Sequence, residues 1–178
     1  MFMSTPPFLV VGLGNPGARY APTRHNLGVM VLEEVLARHP GSRLGVHRKT
    51  NTDACSVGGL ILARPRSFMN LSGGPVRALA DFYKVPPPRI VVIHDELDLD
   101  FGRIKARPGG GDHGHNGLRS ITKALGTKDY ARLSCGIGRP PGRMDPAAFV
   151  LKPFSRTEQE HLPILCADAA DELERLLA

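Results

Sequence analysis

The chain has 178 residues, with 23 Lys or Arg against 17 Asp or Glu, a net charge of +6 and a pI near 9.6. Hydrophobic residues at 42% and charged residues at 22% exclude a disordered chain, and a domain of this length builds its core without staples. Cys55, Cys135 and Cys166 are scattered and form no CxxC pair, which excludes a zinc ribbon, thioredoxin chemistry and a disulfide framework.

In chain order, Phe8 to Val11 is a short apolar run ended by Gly12 and predicts a buried strand. Gly28, Leu32, Val35 and Leu36 fall at helical spacing, so a helix is expected over Asn26 to Arg38. Ala54 to Val57 and Leu60 to Ala63 flank Gly58-Gly59 and read as a hairpin. Pro75 is placed to open a helix continued by Val76, Leu79, Ala80 and Tyr83 and stopped by Pro86-Pro87-Pro88. Ile90 to Ile93 is the strongest strand, and Phe101 to Ala106 is another candidate. A loop PGGGDHGHNG precedes a helix over Leu118 to Leu125 and a strand over Arg132 to Gly136. The stretch GRPPGRMDP reads as a loop. Ser155 and Glu158 form a capping box for a last helix whose face is Leu162, Leu165, Ala169, Leu173 and Leu176, with Pro163 expected to kink it or delay its start.

Strands alternating with helices predict one α/β domain over 1–178, with a mixed, mostly parallel sheet flanked by helices. No apolar run reaches the ~18 residues of a membrane helix. No basic residue precedes Arg19 to open a signal peptide, so a soluble cytoplasmic protein is expected. In such sheets ligands bind beyond the carboxyl ends of the strands. GLGNPG, SFMNLSGG and HDELD all follow predicted strands, which points to one shared cleft.

Gly12, Gly14 and Gly17 match the dinucleotide pattern GxGxxG, but Pro16 and Pro22 obstruct the helix that pattern needs, and a tight turn presenting Asn15 fits better. His25 sits where a loop enters a helix; it is either a plain helix-start residue or a general base, with Asp95 placed to hold its tautomer. The run from His94 to Asp100 reads as a solvated acidic turn or as metal ligands, although it lacks HxH and HxxxH spacing. Asn15, Asn70 and Asn116 each lie in a Gly-rich loop and offer a donor and an acceptor to a peptide group or a ribose hydroxyl. No GxSxG elbow is present, so water activated by His25 is favoured over a covalent nucleophile. Seven of the basic residues, against two acids, fall between positions 101 and 132 beside the glycine-rich loop, as a phosphate-binding face or a solvated one.

The segments FLVVGLGNPGARYAPTRHNLG, SFMNLSG, VIHDELDLDFGRIK, GGGDHGHNGLRSI and CGIGRP run in order from about Phe8 to Phe154 and resemble bacterial peptidyl-tRNA hydrolase. The resemblance implies hydrolysis of the ester between a peptide and the 3′ ribose of tRNA, by a monomer without metal or other cofactor. It implies His25 as catalytic base, Asp95 as the group that orients it, and Asn15 as the residue that sorts blocked from free aminoacyl esters. Tyr20, Phe68, Asn70 and Asn116 would line the substrate site, with Met69 and His115 nearby. Arg103, Lys105 and Arg107 would contact the tRNA backbone at the acceptor stem and 3′ CCA end. Members often carry GGGxGGHNG where this chain has Asp112 and His113, and a basic residue where it has Ser134. Two competing classes remain at this level: a silent RNA-binding protein on the same fold, and a metal-dependent hydrolase.

Overall fold

The computed structural model describes residues 4–178. The elements are β1 (Phe8–Gly12), α1 (Leu27–Ala37), β2 (Gly45–His47), β3 (Thr52–Val57), β4 (Leu60–Pro65), α2 (Gly73–Tyr83), β5 (Ile90–Glu96), β6 (Ile104–Arg107), α3 (Asn116–Leu125), β7 (Ala131–Gly136), α4 (Pro146–Val150) and α5 (Arg156–Leu177). The strands form a single seven-stranded sheet in the order β2-β3-β4-β1-β5-β7-β6. Strands β4, β1, β5 and β7 lie parallel in the centre, while β3 and β6 run against their neighbours.

Central parallel strands are covered on both faces, so they read as unbroken apolar runs, here FLVV and IVVI. The twofold alternation then sorts their side chains. Val10, Val91, Ile93 and Leu133 pack with α1 and α5 on one face. Leu9, Val11, Ile90 and Val92 pack with α2 and α3 on the other. Leu27, Val31 and Leu32 of α1 are wholly buried, each worth about 1.5–3 kcal/mol in transfer from water.

Helix α1 lies unusually close to the sheet. A Cβ on Gly12 would sit 2.6 Å from the Gly28 carbonyl oxygen, and one on Gly28 would run into the carbonyl of Ile93. These glycines therefore bring the start of α1 against the ends of β1 and β5. The chain from Gly12 to Gly17 leads into turns, and the first helical residues come only at the 3-10 turn Arg24–Asn26. Gly12 thus serves close packing of β1 against α1, a role the motif did not announce.

Several boundaries differ from expectation. Strand β2 is a three-residue exposed edge that no apolar pattern announces. Strand β6 begins at Ile104, because Phe101–Gly102 form a turn with Gly102 at φ 90°. Helix α2 begins at Gly73, placing Pro75 in its first turn, where no intrahelical N–H is lost. Helix α4 follows the predicted loop, capped by Asp145. Helix α5 starts at Arg156 with the expected capping box and runs on past Pro163, which does not delay it. None of the described helices is long and apolar enough to cross a membrane.

Candidate active site

The loops after β1, β4 and β5 are neighbours because those strands are adjacent in the order β4-β1-β5. Asn15 ties two of them together: its Oδ1 accepts from the Met69 N–H at 2.7 Å. Asn26 clamps the Asn15 main chain from the other side. Its Oδ1 accepts from Asn15 N–H, and its Nδ2 donates to the Asn15 carbonyl, each at 2.9 Å. The oxygen of the Asn15 side chain is therefore already engaged, while its Nδ2 has no partner among the described residues.

Asp95 projects from the end of β5 and is 3% exposed. Its Oδ2 accepts from His25 Nδ1 at 2.8 Å, and its Oδ1 accepts from His115 Nε2 at 2.8 Å. The proton positions follow from the partners. His115 caps α3, its Nδ1 accepting from the backbone N–H groups of Gly117 at 3.1 Å and Leu118 at 3.3 Å. Its proton must then sit on Nε2, facing Asp95. His25 donates its Nδ1–H to the other carboxylate oxygen, which leaves Nε2 of the neutral ring with a bare lone pair. That nitrogen has no hydrogen-bond partner among the described residues.

Burial opposes charge on both groups, but their mutual attraction prevails. At His25, burial is outweighed by the charge and hydrogen bond of Asp95, which raise its pKa above the usual imidazole value. At Asp95, burial is outweighed by His25 and His115, which hold the carboxyl well below the usual range. The result is an imidazole that holds a proton more readily than usual beside a carboxylate that stays ionised.

Arg24 fixes the turn that carries His25. Its guanidinium lies 4.0 Å from the Phe149 ring centre. It donates to the carbonyls of Pro153 at 3.0 Å and of Phe149 and Lys152 at 3.4 Å, and to Glu158 at 2.9 Å. Arg24 thereby fastens α4 and the start of α5 beside the histidine. A pocket of about 280 Å³ results, lined by His25, Asp95, His115, Asn116 and, across it, Pro146 and Val150 of α4. Asn15 lines a neighbouring pocket of about 470 Å³ with Asn26, Arg64 and Arg66.

The structure thus joins His25, Asp95, His115 and Asn116 in one pocket and places Asn15 beside it. Tyr20 and Phe68 meet edge to face at 6.1 Å, with Phe68 exposed. Asn70 is exposed on the 3-10 turn Met69–Leu71. Met69 is a core residue whose main chain, not its thioether, reaches Asn15. Arg103 and Lys105 face solvent. Arg107 turns inward: its side chain is 13% exposed and lies 3.9 Å from Glu96. Reading the sequence missed Asn26, Arg24 and the tie between His113 and Glu96 at 2.7 Å. Of these, only Asn26 carried a signal, a polar carboxamide directly after the candidate base.

Among the described residues, two groups bring possible metal ligands within 4.8 Å of one another: His25, Asp95 and His115, and Glu96, Asp98 and His113. In the first, both Asp95 oxygens already take N–H donors, and His115 Nδ1 is spent on α3. In the second, Glu96 holds His113, and Asp98 accepts from Arg139 at 2.6 Å. A cation at either place would compete with these hydrogen bonds, which hold the carboxylates on N–H donors, although His25 Nε2 keeps its lone pair.

A buried histidine–carboxylate pair with a free imidazole nitrogen lies at the C-terminal edge of the α/β sheet, where ligands of such folds bind, and the chain is of the hydrolase class. A family model described as peptidyl-tRNA hydrolase matches residues 9–178, and the chain belongs to that family. The peptidyl-tRNA hydrolase of Corynebacterium efficiens is 62% identical over 172 residues, covering 97% of each chain. Peptidyl-tRNA hydrolase 1 of Corynebacterium glutamicum is 62% identical over 175 residues, covering 98% of each. The crystal structure of peptidyl-tRNA hydrolase from Acinetobacter baumannii superposes with a TM-score of 0.81 at 35% identity, over 96% of this chain and 86% of that one.

Proposed function

We propose that this protein hydrolyses the ester joining a peptide to the 3′ ribose of tRNA, releasing both, with His25 as the base that activates water. The observation that carries this reading is the 2.8 Å bond from His25 Nδ1 to Asp95, which aims a free Nε2 lone pair into a pocket. Water loses a proton to Nε2 as its oxygen attacks the ester carbonyl. Asp95 steadies the imidazolium that forms, and the proton then passes to the departing ribose oxygen. Donors beside the base, Asn116 at the start of α3 and the free Nδ2 of Asn15, are suited to the developing oxyanion and the neighbouring amide.

Asn15 sorts substrates by what it has left to offer. With Oδ1 already accepting from Met69, its Nδ2 is the group without a partner among the described residues, and it pairs with the acyl carbonyl of a blocked residue. A free aminoacyl ester has an ammonium group in place of that acyl group and leaves the donor unmatched. Tyr20, Phe68 and Asn70 supply the outer wall of the substrate site. Arg103 and Lys105 face the tRNA backbone at the acceptor stem and CCA end, while Arg107 serves the interior. The negative charge of Asp112 in the glycine-rich loop is partly offset by Arg119 at 3.7 Å. The chain works as one domain, a monomer in the cytoplasm, and the reaction needs no cofactor.

The test is turnover of a defined peptidyl-tRNA by His25→Ala. Loss of nearly all kcat in a folded protein supports the assignment; retention of ordinary turnover removes it.

A further inference from the structure

Directly behind Asp95, β5 carries a second histidine that touches no substrate surface. His94 is 1% exposed, and Ser134, opposite it on β7, is also 1% exposed. Carbonyls along a strand point alternately to either side. The Ile93 carbonyl faces β1 and accepts from Leu13 N–H at 3.1 Å, whereas the Glu96 carbonyl faces β7 and accepts from Ile137 N–H at 3.0 Å. The Asp95 carbonyl points to the same side as that of Ile93. Pairing with β1 stops at Gly12, opposite Ile93, so no strand lies beside Asp95 there. A buried carbonyl without a donor is costly. The His94 ring fills the gap, its Nδ1–H donating to that carbonyl at 2.8 Å.

The rest of the chain follows in one direction. Because a carbonyl only accepts, the His94 proton lies on Nδ1, and Nε2 must accept. The Ser134 hydroxyl donates to it at 2.9 Å. Arg107 Nε in turn donates to Ser134 Oγ at 3.3 Å. Burial, with His115 nearby, pushes the His94 pKa down to about 3, so the ring stays neutral and the direction of the chain does not reverse near neutral pH.

We propose that His94 and Ser134 are positioning residues for the hydrolysis: they hold the main chain of Asp95, and with it the carboxylate that keeps the proton on His25 Nδ1. This rests on the reading of His25 given above. Neither residue meets the substrate, so their loss lowers kcat and leaves KM in place. Small displacements of catalytic groups are enough to matter, an ångström costing up to about a hundredfold.

The test compares His94→Asn, His94→Gln and His94→Leu in turnover of one peptidyl-tRNA. Asparagine places an N–H close to where Nδ1 stood; glutamine places it one bond further out; leucine has none. The expected result is a kcat within about threefold of wild type for Asn, and about ten- to a hundredfold lower for Gln and Leu, with KM within about twofold throughout. Ser134→Ala should lower kcat by a smaller factor and add nothing on a His94→Gln background. Equal kcat for Asn and Gln, or an effect on KM alone, overturns the proposal. Should the leucine variant fail to fold, the Asn and Gln pair still decides. His25→Ala is run in parallel: its full activity refutes the reading of the base, whereas its inactivity beside equal Asn and Gln variants refutes only the positioning role.

Discussion

Asp95→Asn replaces one of two carboxylate oxygens with an amide NH2, and the two histidines that share the carboxylate must compete for the oxygen that remains. His115 cannot yield easily. Its Nδ1 accepts from Gly117 and Leu118 at the start of α3, so its buried Nε2–H needs an acceptor. Breaking that cap costs about 1 kcal/mol, and leaving the N–H unpaired costs a further ~1–3 kcal/mol. His25 has no competing hydrogen bond among the described residues. The asparagine oxygen therefore turns to His115, its NH2 faces His25 Nδ1, and the His25 proton moves to Nε2. A preference of about 2 kcal/mol leaves only one molecule in roughly thirty with the base-competent tautomer. Loss of the negative charge beside the imidazolium adds to this. An equivalent swap in serine proteases lowers kcat on the order of 10⁴, and a fall of about 10³–10⁴ is expected here, with KM little changed. The assay is turnover of peptidyl-tRNA, paired with the imidazole ¹⁵N spectrum of His25. A kcat within tenfold of wild type, or a spectrum still showing Nδ1–H, would refute the reasoning.

Other consequences are accessible to simple measurements. Because Asp95 raises the His25 pKa and the base works deprotonated, kcat/KM should climb with pH through a midpoint above that of a free imidazole and then level off; a profile flat across that range contradicts this. The pair also ties stability to pH. The His25 contribution is complete below the unfolded imidazole value and fades as pH rises through the raised folded value, while the Asp95 contribution is lost as acid protonates it, so urea midpoints should fall at both ends. Asn15→Ala should erode the preference for peptidyl over aminoacyl ester; an unchanged ratio of kcat/KM values argues against its sorting role. Arg24→Leu should lower stability by about 2 kcal/mol, or roughly 4–8 °C in Tm by calorimetry, because four hydrogen bonds to residues 149–158 vanish. With tRNA folding kept intact, a strong chelator should leave the rate unaltered.

The sequence carried the layout of the site better than its wiring. The runs FLVV and IVVI read as buried strands, their alternation with helices argued for a largely parallel sheet, and the polar motifs at their ends were then expected to share one edge. That was enough to bring His25 and Asp95 together across 70 positions. The wiring depends on cross-strand register, which local pattern does not reveal. His94 and Ser134 meet because β5 and β7 pair in one particular alignment. Arg24 looked like a loop residue, since its partners lie more than 120 positions away. His115 as a helix cap was hidden because histidine is not among the preferred capping residues, and α3 accordingly begins two residues before the expected Leu118. Strand β2 and helix α4 were too short for a periodic signal. In the carboxamides, the sequence left donor and acceptor equally available; the fold engages the Asn15 oxygen with Met69 N–H and leaves its Nδ2 without a partner among the described residues.

One measurement bears most directly on the mechanism. The single-turnover rate of peptidyl-tRNA hydrolysis can be followed against pH alongside an NMR titration of the His25 ring in the same buffer. The kinetic midpoint should coincide with the titration of His25, with Nε2 unprotonated on the active side. A rate that rises through a different midpoint, or that ignores the titration of His25, would show that this imidazole is not the base.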